Sequence, residues 1–168
     1  SGDNRLDGAS GADVLIGRSG NDTYVVDNED DSTIELANDG IDAVESDLSW
    51  TLGANLENLI LMGEGWINGV GNELDNLITG NVSGNMLDGN AGNDTLDGGG
   101  GYDYYRFGRG DGQDLIKAIF NPTGFDFGQI VLKSGVHLQD ITAKRVGENL
   151  EISINSTGDK LKVEKFYF

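Results

Sequence analysis

A chain of 168 residues with 29 Asp and Glu against 11 Lys and Arg, one His and no Cys excludes several kinds of protein at once. A formal charge of −18 repels phosphate backbones, so nucleic acid is not expected as a partner, and the missing thiols leave no disulfide framework and no zinc or blue-copper site. A single Pro among 27 Gly, with no apolar run near about eighteen residues, argues against collagen and against a membrane span.

The charge is unevenly placed. Residues 1–107 hold 21 acids and 3 bases, whereas 108–168 hold 8 of each. Low hydrophobicity with high net charge marks a chain that does not fold unaided, so the acidic part is expected to be disordered without cations. Metal binding would then supply folding free energy.

In chain order, GASGADVLI (8–16) and GRSGNDTYV (17–25) place Asp13 and Asp22 at the sixth position of a nonapeptide and Leu15 and Tyr24 at the eighth, after an incomplete unit that holds Asn4 and ends on Leu6. The stretch 28–70 departs from this period. Ile34, Ile41, Val44, Leu48, Trp50, Leu52 and the run LENLILMG (56–63) predict strands between acidic turns, read as irregular coils with Ile67 as the next inward residue, eleven positions before Ile78. The nonapeptide then returns in phase. GNELDNLIT (71–79), GNVSGNMLD (80–88), GNAGNDTLD (89–97) and GGGGYDYYR (98–106) put Asn76, Asn85, Asp94 and Asp103 at position six. Phe107 and Gly108 intervene before an offset unit, RGDGQDLIK (109–117), which carries Asp111 and Asp114.

One such unit is a Gly-rich turn followed by a short strand. Gly supplies positive φ without steric cost, and Asp or Asn at position six turns an oxygen back into the turn. A single inward residue buries little, so stability requires stacked neighbours about 4.8 Å apart in parallel sheet. With two units per coil, the turns that meet belong to units i and i+2, which predicts Asn4 beside Asp22, Asn76 beside Asp94, Asn85 beside Asp103, and Asp94 beside Asp114. Gly-Asp-Asn-rich sequence is commonly loop or linker; a linker, however, needs no apolar residue at every ninth place.

Calcium suits turns of this kind. It accepts six to eight oxygen ligands in adaptable geometry, whereas magnesium demands a tight octahedron. The candidate ligands are Asn4, Asp13, Asp22, Asp27, Asn76, Asn85, Asp94, Asp103, Asp111 and Asp114, with backbone oxygens from turns containing Gly20, Gly92, Gly99 and Gly101. About four to seven ions are expected, the Asn-bearing units binding more weakly because a neutral oxygen replaces a carboxylate.

The tail reads as a cap over 118–168. Leu150, Ile152 and Ile154 alternate with polar residues, 156–159 turns the chain, and Leu161 and Val163 return, which predicts a β-hairpin; Ile130–Leu132 and Ile141–Arg145 predict further strands. A terminal module of this sort covers an open solenoid end. Phe166, Tyr167 and Phe168 either pack on the last coil or belong to a secretion signal.

These blocks, the connecting YVVDN and ANLENLILMG segments and the closure RFGRGDGQDLI resemble the haemolysin-type calcium-binding (RTX) regions of bacterial proteins exported by type I secretion. From Arg106 onward the chain also resembles the domain that commonly follows such repeats. The resemblance implies an all-β fold, a right-handed parallel β-roll with a hairpin-containing cap, and calcium held by position-six residues: Asp13, Asp22, Asp94, Asp103 and Asp114, with Asn4, Asn76 and Asn85 as weaker matches. Position four is Leu74 and Ser83 in two units, a departure from the family pattern. The expected organisation is a first repeat block at 1–27, irregular coils at 28–70, a second block at 71–117 and the cap. The implied role is a non-catalytic, monomeric, extracellular module that folds on binding calcium and supports type I secretion of a larger protein. The alternative is a polysaccharide-binding or adhesive module.

Other features read as structural. Arg109-Gly110-Asp111 spells an adhesive tripeptide but falls inside a repeat unit. His137 lacks a ligand constellation, and Asp30 and Asp31 lack the environment of a glycosidase pair. Trp50, Trp66 and the tyrosines are expected to pack in the core instead of stacking on sugars. No signal peptide opens the chain, and Ser1-Gly2 reads as the edge of an excised fragment.

Overall fold

The computed structural model describes residues 2–117 and 128–166. Short strands alternate with turns throughout: β1 Arg5–Asp7, β2 Val14–Ile16, β3 Thr23–Val26, β4 Ser32–Ile34, β5 Ala43–Ser46, β6 Trp50–Thr51, β7 Asn58–Leu61, β8 Gly69–Val70, β9 Leu77–Thr79, β10 Met86–Asp88, β11 Thr95–Asp97, β12 Tyr104–Phe107, β13 Gln113–Ile116, β14 Gln129–Leu132, β15 Ile141–Val146, β16 Asn149–Ile154 and β17 Lys160–Val163. One 3₁₀ turn spans Leu138–Asp140, and there is no α-helix among the described residues. No helix is long and apolar enough to cross a membrane.

The chain winds as a parallel β-solenoid. Up to β14, odd-numbered strands stack on one side and even-numbered strands opposite: the long sheet runs β1-β3-β5-β7-β9-β11-β13 and is continued by β17-β16-β15, facing β2-β4 and β6-β8-β10-β12-β14. Skipping one strand at each pairing is the signature of two strands per coil. The apolar eighth position forms an unbroken ladder, with Leu6 beside Tyr24, Tyr24 beside Val44, Val44 beside Leu59, Leu59 beside Ile78, Ile78 beside Leu96, and Leu96 beside Ile116. Tyr24, Val44, Leu59 and Ile78 are fully buried. Each unit thus contributes one rung to a core that no unit could build alone.

The irregular stretch keeps this register although it loses the nonapeptide. On the even side Ile67 is half-buried against the core, and the ladder position between Trp50 and Leu87 falls two residues later, on Gly69. A Cβ there would meet Ile78, Leu59 and Leu87 side chains at 3.0, 3.1 and 3.3 Å. Bulky neighbours fill the slot, so counting from apolar residues misplaces it. Trp66 also departs from expectation: it is 76% exposed, whereas Tyr24 and Tyr105 are buried and Trp50 is half-buried against the core.

The tail joins the solenoid instead of standing apart from it. β14 adds a parallel rung beside β12, and β17 adds one beside β13, with Ile116 opposite Val163. β16 and β15 then continue the long sheet in antiparallel fashion, giving the expected hairpin. Phe166 is 51% exposed; Tyr167 and Phe168 lie outside the described residues.

Candidate metal centre

Sheet register brings position-six residues of successive coils together along each edge. On the odd edge, backbone N–H groups donate upward: Asn4 to Asp22 Oδ1 (2.7 Å), Asp22 to Asp42 Oδ1 (2.7 Å), Asp42 to Glu57 Oε2 (2.8 Å), Asn76 to Asp94 Oδ1 (2.8 Å) and Asp94 to Asp114 Oδ1 (3.1 Å). The even edge repeats the motif with Asp13 to Asp31 Oδ1 (3.0 Å) and Asn85 to Asp103 Oδ1 (2.9 Å). All four pairs expected from the two-unit coil are therefore in contact. Asp31, Asp42 and Glu57 extend the rows; Asp31 keeps the regular spacing, eighteen residues after Asp13, whereas Asp42 and Glu57 depart from it.

The second carboxylate oxygen is where chemistry remains open. Oδ2 of Asp13, Asp22, Asp42 and Asp94 is buried and accepts no hydrogen bond. A buried acceptor without a partner costs roughly 1–3 kcal/mol, more when charged. Those of Asp13, Asp22 and Asp94 fold back over the first glycine of their own unit, where a side chain would collide. A Cβ on Gly8 would lie 2.6 Å from Asp13 Oδ2, and one on Gly89 would strike Asp94 Oδ2. Carbonyl oxygens crowd the same turns. At position four, Gly20 and Gly92 take φ of +130° and +137°, and a Cβ would meet the carbonyl carbon of Gly2 at 2.5 Å or that of Leu74 at 2.8 Å. Gly99 and Gly101, at φ +77° and +86°, pass as closely over Asn81 and Ser83. Buried anionic oxygens, glycine cradles and converging carbonyls are the donor set of a hard cation such as calcium.

Electrostatics agree with that assignment. Burial pushes the Asp42 and Asp94 carboxyls up to about 6 and that of Asp114 up to about 8, and neighbouring carboxylates add to each shift. Unit charges 4.8 Å apart, the limit within the buried Asp22, Glu35 and Asp42 group, repel by about 3 kcal/mol at an effective dielectric near 20.

Asn76 and Asn85 behave differently. Asn76 Oδ1 accepts from Asn72 N (2.8 Å), and its amide donates to the carbonyls of Leu56 (3.1 Å) and Glu57 (3.3 Å). Asn72 Nδ2 donates to the carbonyls of Gly53 and Leu56, both at 2.7 Å. The next unit repeats this: Asn85 Oδ1 accepts from Asn81 N (2.8 Å), Asn85 Nδ2 donates to Ile67 O (2.6 Å), and Asn81 Nδ2 reaches Gly65 O (2.9 Å). In these two turns amide N–H groups occupy the carbonyls that a cation would use. Each amide oxygen accepts one backbone N–H and each amide nitrogen is engaged by carbonyls, so these turns satisfy their polar groups within the chain.

Three further residues complete the placement. Asp27 is exposed at the end of β3, and its N–H donates to Asp31 Oδ2 (3.2 Å). Asp111 is buried, accepts from Gly108 N, and pairs with Lys133 Nζ at 2.8 Å; the same ammonium lies 2.6 Å from Asp88. Asp111 already has a cation, supplied by the chain. Although burial opposes it, pairing with Asp111 and Asp88 holds Lys133 above its ordinary value. Arg109 and Gly110 are exposed, Arg109 pairing with Asp140 at 3.3 Å, but Asp111 is buried, so the tripeptide does not offer its carboxylate to solvent.

A parallel solenoid whose turns carry this donor set belongs to the class of calcium-binding repeat folds. The RTX calcium-binding nonapeptide repeat matches residues 1–32, 70–105 and 79–116, so these segments form an RTX-type calcium-binding repeat region. Among curated relatives, the endo-1,3-1,4-beta-glycanase ExsH of Rhizobium meliloti (strain 1021) is 39% identical over 67 residues, 40% of this chain and 14% of that protein. The endo-1,3-1,4-beta-glycanase EglC of the same organism is 49% identical over 109 residues, 64% of this chain. The aligned part covers only 23% of EglC.

Proposed function

We propose that this chain is a non-catalytic calcium-binding module of a larger secreted protein, whose Asp-bearing turns fold around calcium met outside the cell. The observation that carries this reading is the set of buried, unpartnered Oδ2 atoms on Asp13, Asp22, Asp42 and Asp94, each in a turn kept clear by glycine. Asp103 and Asp114 stand in the same rows and join them as ligands, with Asn4 supporting Asp22. The Asn72/Asn76 and Asn81/Asn85 turns hold themselves together without metal. Before calcium arrives, crowded carboxylates keep the chain open, a state suited to passage through a type I secretion channel; binding then supplies the folding free energy. Far-UV circular dichroism of chelator-treated protein tests this: calcium should convert a coil spectrum cooperatively to β-structure, and magnesium should not. A chelated protein already fully folded would overturn the coupling.

One observation favours a second role in contact with polysaccharide. Trp66 is 76% and Tyr102 is 42% exposed, and both border Gly84, whose Cβ position lies 3.7 Å from the Trp66 ring and 2.6 Å from the Tyr102 carbonyl. The two residues therefore lie on one edge, on the coils either side of Gly84, and exposed aromatic faces stack on apolar faces of ligands. The relatives' names fit a carbohydrate setting. Affinity electrophoresis in a 1,3-1,4-β-glucan gel would retard the native chain but not Trp66→Ala; equal mobility would remove this role.

A further inference from the structure

The first coil after the repeat match is stretched. Position-six residues of the first block lie 18 residues apart, as in Asn4 with Asp22 and Asp13 with Asp31, whereas Asp22 and Asp42 lie 20 apart. Gly40 still stacks on Gly20, and Gly20 N donates to Asp39 O at 2.9 Å, so the two additional residues fall before that turn, at Glu35-Leu36. Leu36 is exposed, but Glu35 is buried. Its carboxylate turns inward, accepts from Leu36 N at 2.9 Å and receives the Tyr24 hydroxyl.

We infer that Asp22, Glu35 and Asp42 form a three-carboxylate calcium site that lies outside the nonapeptide pattern. One ligand oxygen from each residue lies within 4.8 Å of the others, and all three side chains are more than nine-tenths buried. Two of the three residues also present an unpartnered oxygen, Asp22 Oδ2 and Asp42 Oδ2, at 1% and 0% residue exposure. Calcium bonds its oxygens at 2.3–2.6 Å, so two oxygens of one shell stand at most about 5 Å apart, a span that contains this group. Tyr24 acts as a positioning residue. Its hydroxyl accepts from Gly17 N at 3.0 Å and donates to Glu35, which fixes the carboxylate above the core ladder. The insertion thus adds a negative ligand at the turn where the regular repeat ends.

This site rests on the calcium reading above, and the experiment separates the two. Isothermal titration of the whole chain with calcium, with circular dichroism to confirm folding at saturation, compares the native protein with Glu35→Gln and Asp42→Asn. Each variant should lose one ion per chain, or bind one ion at least tenfold more weakly, while the remaining ions are kept. Unchanged stoichiometry and affinity in both folded variants would overturn the site and leave the repeat reading standing; a native chain that binds no calcium would overturn both. Should either variant fail to fold, crystals of the calcium-saturated native protein decide the matter. An anomalous peak between Asp22, Glu35 and Asp42 is expected, and peaks at the repeat turns alone would overturn the site.

Discussion

The turns before β3 and β11 and those before β9 and β10 follow nearly the same path and stack in one register, yet they resolve their polar groups in opposite ways. Where position six is Asp22 or Asp94, position two is Arg18 or Asn90 in the left-handed region, at φ +70° and +66°, and a buried oxygen is left without a donor. Where position six is Asn76 or Asn85, the position-two residue is Asn72 or Asn81, whose amide reaches the carbonyls of the coil beneath. A side-chain amide carries two donors and an acceptor, and a carboxylate carries acceptors alone. One atom exchanged per turn thus separates a turn that is complete from one that waits for a cation. The complete turns lie at the centre of the solenoid and the incomplete ones toward its ends.

Calcium removal should expose this difference most strongly. In chelator, amide hydrogen exchange in β1, β3 and β13 should approach that of an open chain, while β9 and β10, beside the Asn turns, keep measurable protection; uniform loss along the solenoid would break the distinction. Exchanging the chemistry is the next largest effect. Asn76→Asp removes one donor from each of the Leu56 and Glu57 carbonyls, which keep Asn72 Nδ2 and Leu77 N, and should lower the residual exchange protection of β9 in chelator by about 1 kcal/mol, with calcium restoring it. The converse variant, Asp94→Asn, should raise the calcium needed for half-folding roughly tenfold, equivalent to about 1.4 kcal/mol; an unchanged midpoint would show that this turn holds no ion.

The smallest effect is on pH. Folded values of about 6 for Asp42 and Asp94 and about 8 for Asp114 exceed an unfolded value near 3.9, so the metal-free fold binds more protons than the open chain. Its proton-linked stability is fully present below about pH 4 and is lost as pH rises through 6 and then 8. Without calcium, the β-structure signal in far-UV circular dichroism should therefore rise on acidification from pH 8 to pH 5. With calcium the sign reverses, because protons compete with the ion for the same oxygens.

Much of this was legible in the residues. The ninefold spacing of Leu15, Tyr24, Ile78, Leu87, Leu96 and Tyr105 fixes coil and register, which is why Asn4 meets Asp22 and Asp94 meets Asp114. The coils of 28–70 were harder. Gly69 fills an inward slot with no side chain, so the apolar count settled on Ile67, and Trp66 beside it faces solvent. Asn76 looked like a weakened ligand because sequence shows which residue enters a turn but not which end of its amide faces the carbonyls below. Glu35 signals itself only through a two-residue lengthening, visible once Gly40 is known to sit on Gly20. Lys133 approaches Asp88 and Asp111 from the next coil, a meeting that no local pattern announces.

The rung that closes the parallel part of the long sheet is encoded late. β17, at Lys160–Val163, covers β13, at Gln113–Ile116, and the ribosome makes every coil before it makes the strand that stops them. A nascent solenoid that folded at once would present β13 as a bare edge, the kind of surface on which strands of other molecules template. If the end coils hold no shape until calcium arrives, as proposed, that edge is absent while the chain is being made, and the delay doubles as a safeguard against aggregation during synthesis.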